Sequence, residues 1–230
     1  MEATSYPTPA VATPDSSFMT KVFGWMFVGL AITGGVAALI GSNDQLLTDI
    51  TESPGILIGV IVLQLALVIG LVAAINRMPV GLAMLMFFFY SATVGITFAL
   101  LFELYTTESI FTAFLVTSGM FGALAVFGAV TKIDLTKVGA IAFMALIGLI
   151  LATIVNIFLA NETIYWVTTY AGVLIFSALT AYDMQKITQL SKAGLEGEAE
   201  SRAAIIGALS LYLDFINLFI FLLRIFGRSR

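Results

Sequence analysis

The chain has 230 residues, 60% of them hydrophobic and 10% charged, with a mean hydropathy of +1.07 and a formal net charge of −4. A soluble domain carries about 25% charged residues, so this composition belongs in a lipid bilayer, and the acidic balance argues against nucleic acid as a partner. With neither cysteine nor histidine there is no disulfide, no thiolate or imidazole chemistry and no His switch near neutral pH; proton sensing falls to carboxylates.

Residues 1–17, rich in Pro, Ser, Thr and Ala and without the basic region of a signal peptide, read as a disordered cytoplasmic tail. The remainder, 18–230, reads as one all-α transmembrane domain. It holds seven apolar runs, each near the roughly 20 residues that span a bilayer: Met19–Ile40, Gly55–Ile75, Pro79–Phe102, Ile110–Val130, Val138–Leu159, Ile164–Ile187 and Arg202–Phe226. The gaps are short except for Thr188–Ser201, a polar stretch with Glu196, Glu198 and Glu200, which reads as a solvated loop or a regulatory contact. Gly55 with Gly59, and Ser118 with Gly122, have the small-xxx-small spacing that lets helices approach closely. Gln64 and Asn156 are expected to bond between helices, Trp25 and Trp166 to serve as interfacial or packing aromatics, and the run Phe87-Phe88-Phe89 to face core or lipid.

The basic residues set an orientation. Lys21, Arg77, Lys132, Lys137, Lys186, Lys192 and Arg202 fall on one side of the alternation, while the gaps 1–2, 3–4 and 5–6 hold Asp44, Asp49, Glu52, Glu103, Glu108 and Glu162 and no basic residue. The N-terminus is therefore expected in the cytoplasm. Arg224, Arg228 and Arg230 conflict with seven crossings: either the last run crosses against the charge bias, which its length favours, or it is re-entrant.

Of the fourteen acidic residues, only Asp183 and Asp214 fall inside apolar runs, the sixth and the seventh. A carboxylate at bilayer depth costs roughly 2.5–3.5 kcal/mol on insertion scales and usually faces a protein interior or a wet cavity. Counted from the run boundaries, Asp214 is about 18 Å deep and Asp183 about 6 Å, so contact requires the last helix to start higher, tilt or kink. In contact, two carboxylates in an apolar site do not both carry charge cheaply, and they share a proton and titrate as a unit. The protonated pair holds two helices together. The ionised pair repels, and its oxygens suit a hard cation such as Ca²⁺. The competing reading is that each Asp makes a private hydrogen bond that only fixes packing, with Tyr182, Gln185, Ser210 and Asn217 as nearby partners. Arg77 reads equally as a charge partner of the pair or as a positive-inside anchor.

The segment Ala208-Leu-Ser-Leu-Tyr-Leu-Asp-Phe-Ile-Asn-Leu-Phe with Leu222-Leu-Arg-Ile-Phe-Gly, preceded by Ala181-Tyr-Asp-Met-Gln-Lys-Ile, resembles the signature of the Bax inhibitor-1 family. The resemblance covers nearly the whole chain and suggests a bacterial inner-membrane member. It implies a seven-helix fold with the seventh helix central, surrounded by the other six. It also implies a pH-sensitive Ca²⁺ leak controlled by an aspartate pair, here Asp183 and Asp214, with a basic residue near the inner end of the second helix, where Arg77 stands. Some relatives have an acid within the second helix; here the comparable residue is Gln64. No cofactor and no enzymatic activity are implied, and calcium is the permeant or bound ion. Because bacterial relatives include modulators of partners, the alternative is a non-channel protein that binds a membrane protease or a stress or cell-death complex. An intramembrane aspartyl protease is disfavoured, since the second acid sits in Leu211-Tyr-Leu-Asp214 and not Gly-x-Gly-Asp. A retinal protein is disfavoured too, because the last run has no lysine within it.

Overall fold

The computed structural model describes residues 15–228; most of the expected tail, residues 1–14, lies outside them. The described residues form nine helices: α1 (Ser16–Gly41), α2 (Asp44–Thr51), α3 (Pro54–Ala74), α4 (Val80–Ala99), α5 (Leu101–Leu104), α6 (Thr107–Val130), α7 (Thr136–Leu159), α8 (Glu162–Ser191) and α9 (Gly197–Phe226). Seven spans are long and apolar enough to cross a membrane, α5 continuing α4. Helix is what such sequences adopt in lipid, because only a backbone that satisfies its own N–H and C=O groups is stable there. Local chemistry fixes the starts: Asp15, Asn43, Thr106 and Asn161 cap α1, α2, α6 and α8 through their side chains, and Pro54 opens α3.

Two boundaries differ from the sequence reading. The Asp15 carboxylate accepts from Ser17 N at 2.8 Å, so α1 begins at Ser16 inside the expected tail. The polar stretch 188–201 is mostly helical. α8 runs to Ser191 and α9 starts at Gly197, placing Glu198 and Glu200 in the first turn of α9, where acids suit the helix dipole. Glu200 meets Lys21 of α1 at 2.7 Å. The short helix α2, in the acidic gap between the first two spans, was not anticipated.

α9 is the most enclosed span: 72% of its most apolar window is buried, against at most 39% in any other. It packs on α1, α4, α6 and α8, while α3 leans chiefly on α4 and α7 on α8. Its 30 residues reach roughly 45 Å, more than the ~30 Å of hydrocarbon, and its ends lie at opposite ends of the bundle. At one end Arg202 Nη2 donates to Met78 O at 3.2 Å; at the other, Arg228 N donates to Ser109 Oγ at 2.9 Å and Thr106 N to Arg228 O at 3.3 Å. The last run therefore crosses the bundle fully. Arg224, on the acidic side, is held over the rings of Tyr165 and Phe221 at 5.4 and 5.2 Å, which gives its charge a local partner.

The glycine expectation is corrected. A Cβ on Gly55, Gly59 or Gly122 would meet nothing within 4 Å, so these positions do not pack within the chain. The close approaches are elsewhere. Gly95 of α4 lies against Thr33 O and Val36 of α1, and Gly128 of α6 lies against the backbone of Ala181.

Candidate functional site

Antiparallel α8 and α9 have a register set by three pairings. Gly172 lies under the Phe221 ring, Ile187 lies against Gly207, and the Asp183 carboxyl faces the Ser210 hydroxyl. On this register Asp214 is level with Leu179, four residues before Asp183. One helical turn, about 6 Å, separates the two acids along the axis. This replaces the 12 Å gap that the run boundaries imply, because α8 extends past its apolar run and α9 begins before its own. Side chains on a helix lean toward its N-terminus, and in this antiparallel pair those leanings converge. Asp183 and Asp214 lean toward each other's level, and Asp214 lies within the electrostatic reach of Asp183.

The surroundings of the two acids differ. Asp183 is half-buried, with Lys186 and Ser210 beside it. Asp214 is 4% exposed, and its Oδ2 is buried with no hydrogen-bond partner. Of the partners that the private-bond reading names, Ser210 stands at Asp183, and the others are engaged elsewhere. Asn217 Nδ2 donates back to Leu213 O at 2.8 Å. Gln185 closes the α6–α7 loop, its Nε2 donating to Ile133 O at 2.7 Å and its Oε1 accepting from Leu135 N at 2.9 Å. Tyr182 lays its ring on Gly139 of α7. Only Ser210 remains at the pair.

Arg77 is exposed and has no carboxylate within ion-pair distance among the described residues. Its side chain extends from the α3–α4 turn as an anchor does. Arg202 occupies the space inside that turn, donating to Met78 O and pairing with Glu198 at 2.8 Å. Gln64 does bond between helices, Nε2 donating to Thr93 O at 2.8 Å. Asn156 does not: it accepts from Asn161 N at 3.0 Å and closes the end of α7. The three phenylalanines divide, with Phe87 buried against Tyr212, Phe88 beside Trp25 and Phe89 facing outward.

A polar cluster on the far side of α9 was missed. Thr33 Oγ1 donates to Ser91 O at 2.8 Å and lies 2.6 Å from the Tyr212 hydroxyl. Its one proton is committed to Ser91, so Tyr212 is the donor. Tyr212 is wholly buried, with the rings of Phe87 and Tyr90 edge-on to it. The signal was in the sequence: a tyrosine two residues before a buried acid, amid apolar neighbours, must find a hydroxyl partner.

The family model described as "Inhibitor of apoptosis-promoting Bax1" matches residues 15–230. The chain is 44% identical to the inner membrane protein YbhL of Escherichia coli K12, covering 93% of this chain and 92% of that one. It is 40% identical to a protein of Deinococcus radiodurans (93% and 91% covered) and 35% identical to a membrane protein of Streptococcus pyogenes serotype M1 (93% of each). A seven-span bundle, the paired helix motifs and a family match over nearly every residue lead to one conclusion: the chain is an integral membrane protein of the Bax inhibitor-1 family.

Proposed function

We propose that this chain is a pH-gated leak for cations, Ca²⁺ among them, in a bacterial inner membrane, with its N-terminus in the cytoplasm. One observation carries the reading: Asp214, enclosed between spans with an unpartnered oxygen, leans toward Asp183 one turn away on the neighbouring helix. Two such carboxylates do not both ionise cheaply. With a proton between them they hold α8 to α9. Without it they repel, and the gap between the helices opens. The ionised oxygens and the Ser210 hydroxyl then offer hard ligands to a divalent cation. Calcium takes six to eight oxygens, and no group of three acids converges among the described residues, so an ion here keeps much of its water. That suits a passing ion better than a resident one. The lysines and Arg202 at the α1 start, the α6–α7 loop and the α8–α9 turn support the assignment of that end to the cytoplasm.

The test is Ca²⁺ flux into proteoliposomes holding the full chain, measured across pH. Flux rises with pH in the wild type, and Asp183→Asn and Asp214→Asn flatten the profile. Variants that retain both flux and its pH dependence overturn the reading. A folded wild type that conducts nothing but recovers a membrane protease returns the modulator alternative.

A further inference from the structure

Polar ties and the tightest contacts divide the bundle into two bodies. The first is α1, α3, α4 with α5, and α9. Gly95 of α4 lies on Thr33 O of α1, Gln64 of α3 donates to Thr93 O of α4, and Tyr212 of α9 bonds to Thr33. At the basic end, where Lys21 and Arg202 stand, Lys21 of α1 pairs with Glu200 of α9, and Arg202 of α9 donates to Met78 O in the α3–α4 turn. The second body is α6, α7 and α8. Gly128 of α6 lies on the backbone of Ala181 in α8, Gly139 of α7 lies under the Tyr182 ring of α8, and Gln185 of α8 holds the α6–α7 loop through two bonds. The seam between the bodies is α9 against α6 and α8, and it is built of side chains. The Phe215 ring packs on those of Phe114 and Phe121 at 5.7 and 5.5 Å, and Phe176 stacks on Phe221 at 5.9 Å. A cavity of about 270 Å³ lies on the same seam, where α1 and α6 barely touch.

The two ends of the seam are tied unequally. At the acidic end the chain passes from α5 to α6 through Tyr105 and Thr106 alone. Thr106 N donates to Arg228 O, Arg228 N donates to Ser109 Oγ, the Tyr105 and Tyr165 hydroxyls meet, and Arg224 lies over the Tyr165 ring. At the basic end the polar ties among the described residues are a backbone bond of 3.3 Å from Asp15 N to Ser191 O and the contact of Asp183 with Ser210. The chain crosses there by the turn from α8 to α9. Gly194 and Gly197 in that turn have φ of +63°, and a Cβ on either would meet nothing within 4 Å. The turn is unpacked and has slack.

We propose that the bundle opens as two rigid bodies: α6, α7 and α8 rotate together against the rest about a pivot at the acidic end, parting α8 from α9 at the basic end, with Asp183 and Asp214 on the seam as the trigger. The division and the pivot stand on the packing; the trigger rests on the leak reading. α6 has 24 residues and reaches about 36 Å. A rotation of about 10°, smaller than the ~15° of a known rigid-body transition, moves its basic end about 6 Å. Few other charges face the acids. Lys186 lies beside Asp183, and Lys21 and Arg202 are held by Glu200 and Glu198. α3 and α4 carry no charged side chain, and those of α6 and α7, Glu108 and Lys137, stand in their first turns.

The experiment places spin labels on paired cysteines at exposed positions of the full chain in lipid nanodiscs and reads distances by electron double resonance at acid and at alkaline pH. Asn76→Cys with Lys132→Cys spans the seam at the basic end, and Glu103→Cys with Glu162→Cys spans it at the acidic end. Thr20→Cys with Asn76→Cys stays within the first body, and Lys137→Cys with Lys192→Cys within the second. The basic-end pair lengthens by about 6 Å at alkaline pH, while the other three hold. Asp183→Asn with Asp214→Asn removes the change. Equal lengthening at both ends, lengthening within a body, a basic-end pair that holds at both pH values, or a shift that survives the two Asp→Asn substitutions overturns the proposal. Ca²⁺ flux on the same protein separates this from the leak reading. Distances that change as stated in a protein without flux sink the leak and keep the two-body motion; pH-dependent flux with fixed distances does the reverse.

Discussion

The hydroxyl of Tyr212 donates to that of Thr33 across 2.6 Å of fully buried space, tying α9 to α1 and, through Ser91 O, to α4. The two ends of this bond are not equivalent. Tyr212→Phe leaves Thr33 still donating to Ser91 and is expected to cost about 0.5–1.5 kcal/mol. Thr33→Val strands the Tyr212 hydroxyl, while the Ser91 carbonyl keeps its partner within α4, and is expected to cost more, about 1–3 kcal/mol. Thermal unfolding of the two variants in one detergent checks the order; a Thr33→Val protein as stable as Tyr212→Phe contradicts it.

Gly128 and Gly59 test where helices truly meet. A methyl on Gly128 would enter the backbone of Ala181, whereas one on Gly59 meets nothing. Gly128→Ala is therefore expected to lower stability by about 1–3 kcal/mol, as overpacking does. Gly59→Ala gains helix propensity of up to ~1 kcal/mol. Melting temperatures of the pair give the signs directly.

The α6–α7 loop depends on Gln185 from within and Asp134 at its edge. Gln185→Ala removes both loop bonds, so faster amide exchange at Leu135 is expected. Asp134 accepts from Thr136 N at 2.9 Å, and Thr136, through its hydroxyl first and then this backbone bond, holds the carboxyl below the usual carboxylate range. A depressed folded-state value means a contribution present at neutral pH and lost as pH falls below about 4. Exchange at the start of α7 should rise in that window for wild type and be raised at every pH in Asp134→Ala.

The chain contains no cysteine, so single cysteines report topology without background. Ala193→Cys and Arg228→Cys, both at exposed positions, mark the two ends of the bundle. In right-side-out cells, an impermeant maleimide is expected to label position 228 and to spare position 193 until the membrane is opened. Labelling of both from outside would contradict the full crossing of α9.

Much of this molecule was legible in advance, because lipid leaves the chain few options. The seven spans follow from apolar length alone, and the two acids stood out because everything around them is apolar. What failed had physical reasons. Apolar runs stop where polarity begins, but α8 and α9 continue through polar turns, and that extension brings Asp183 and Asp214 within one turn of each other. Glycine spacing shows where helices are able to approach, not whether a partner is there, as Gly59 demonstrates. Arg77 and Arg202 look alike in sequence; only the fold turns one outward and tucks the other beneath the α3–α4 turn.

The enclosure of α9 has a consequence for biogenesis. Of the described helices it leaves the ribosome last, yet α1, α4, α6 and α8 all pack on it. Until it arrives, those four present unmatched inner faces to lipid or to the insertion machinery. Assembly of the described bundle thus waits for this thirty-residue helix, which acts as its keystone.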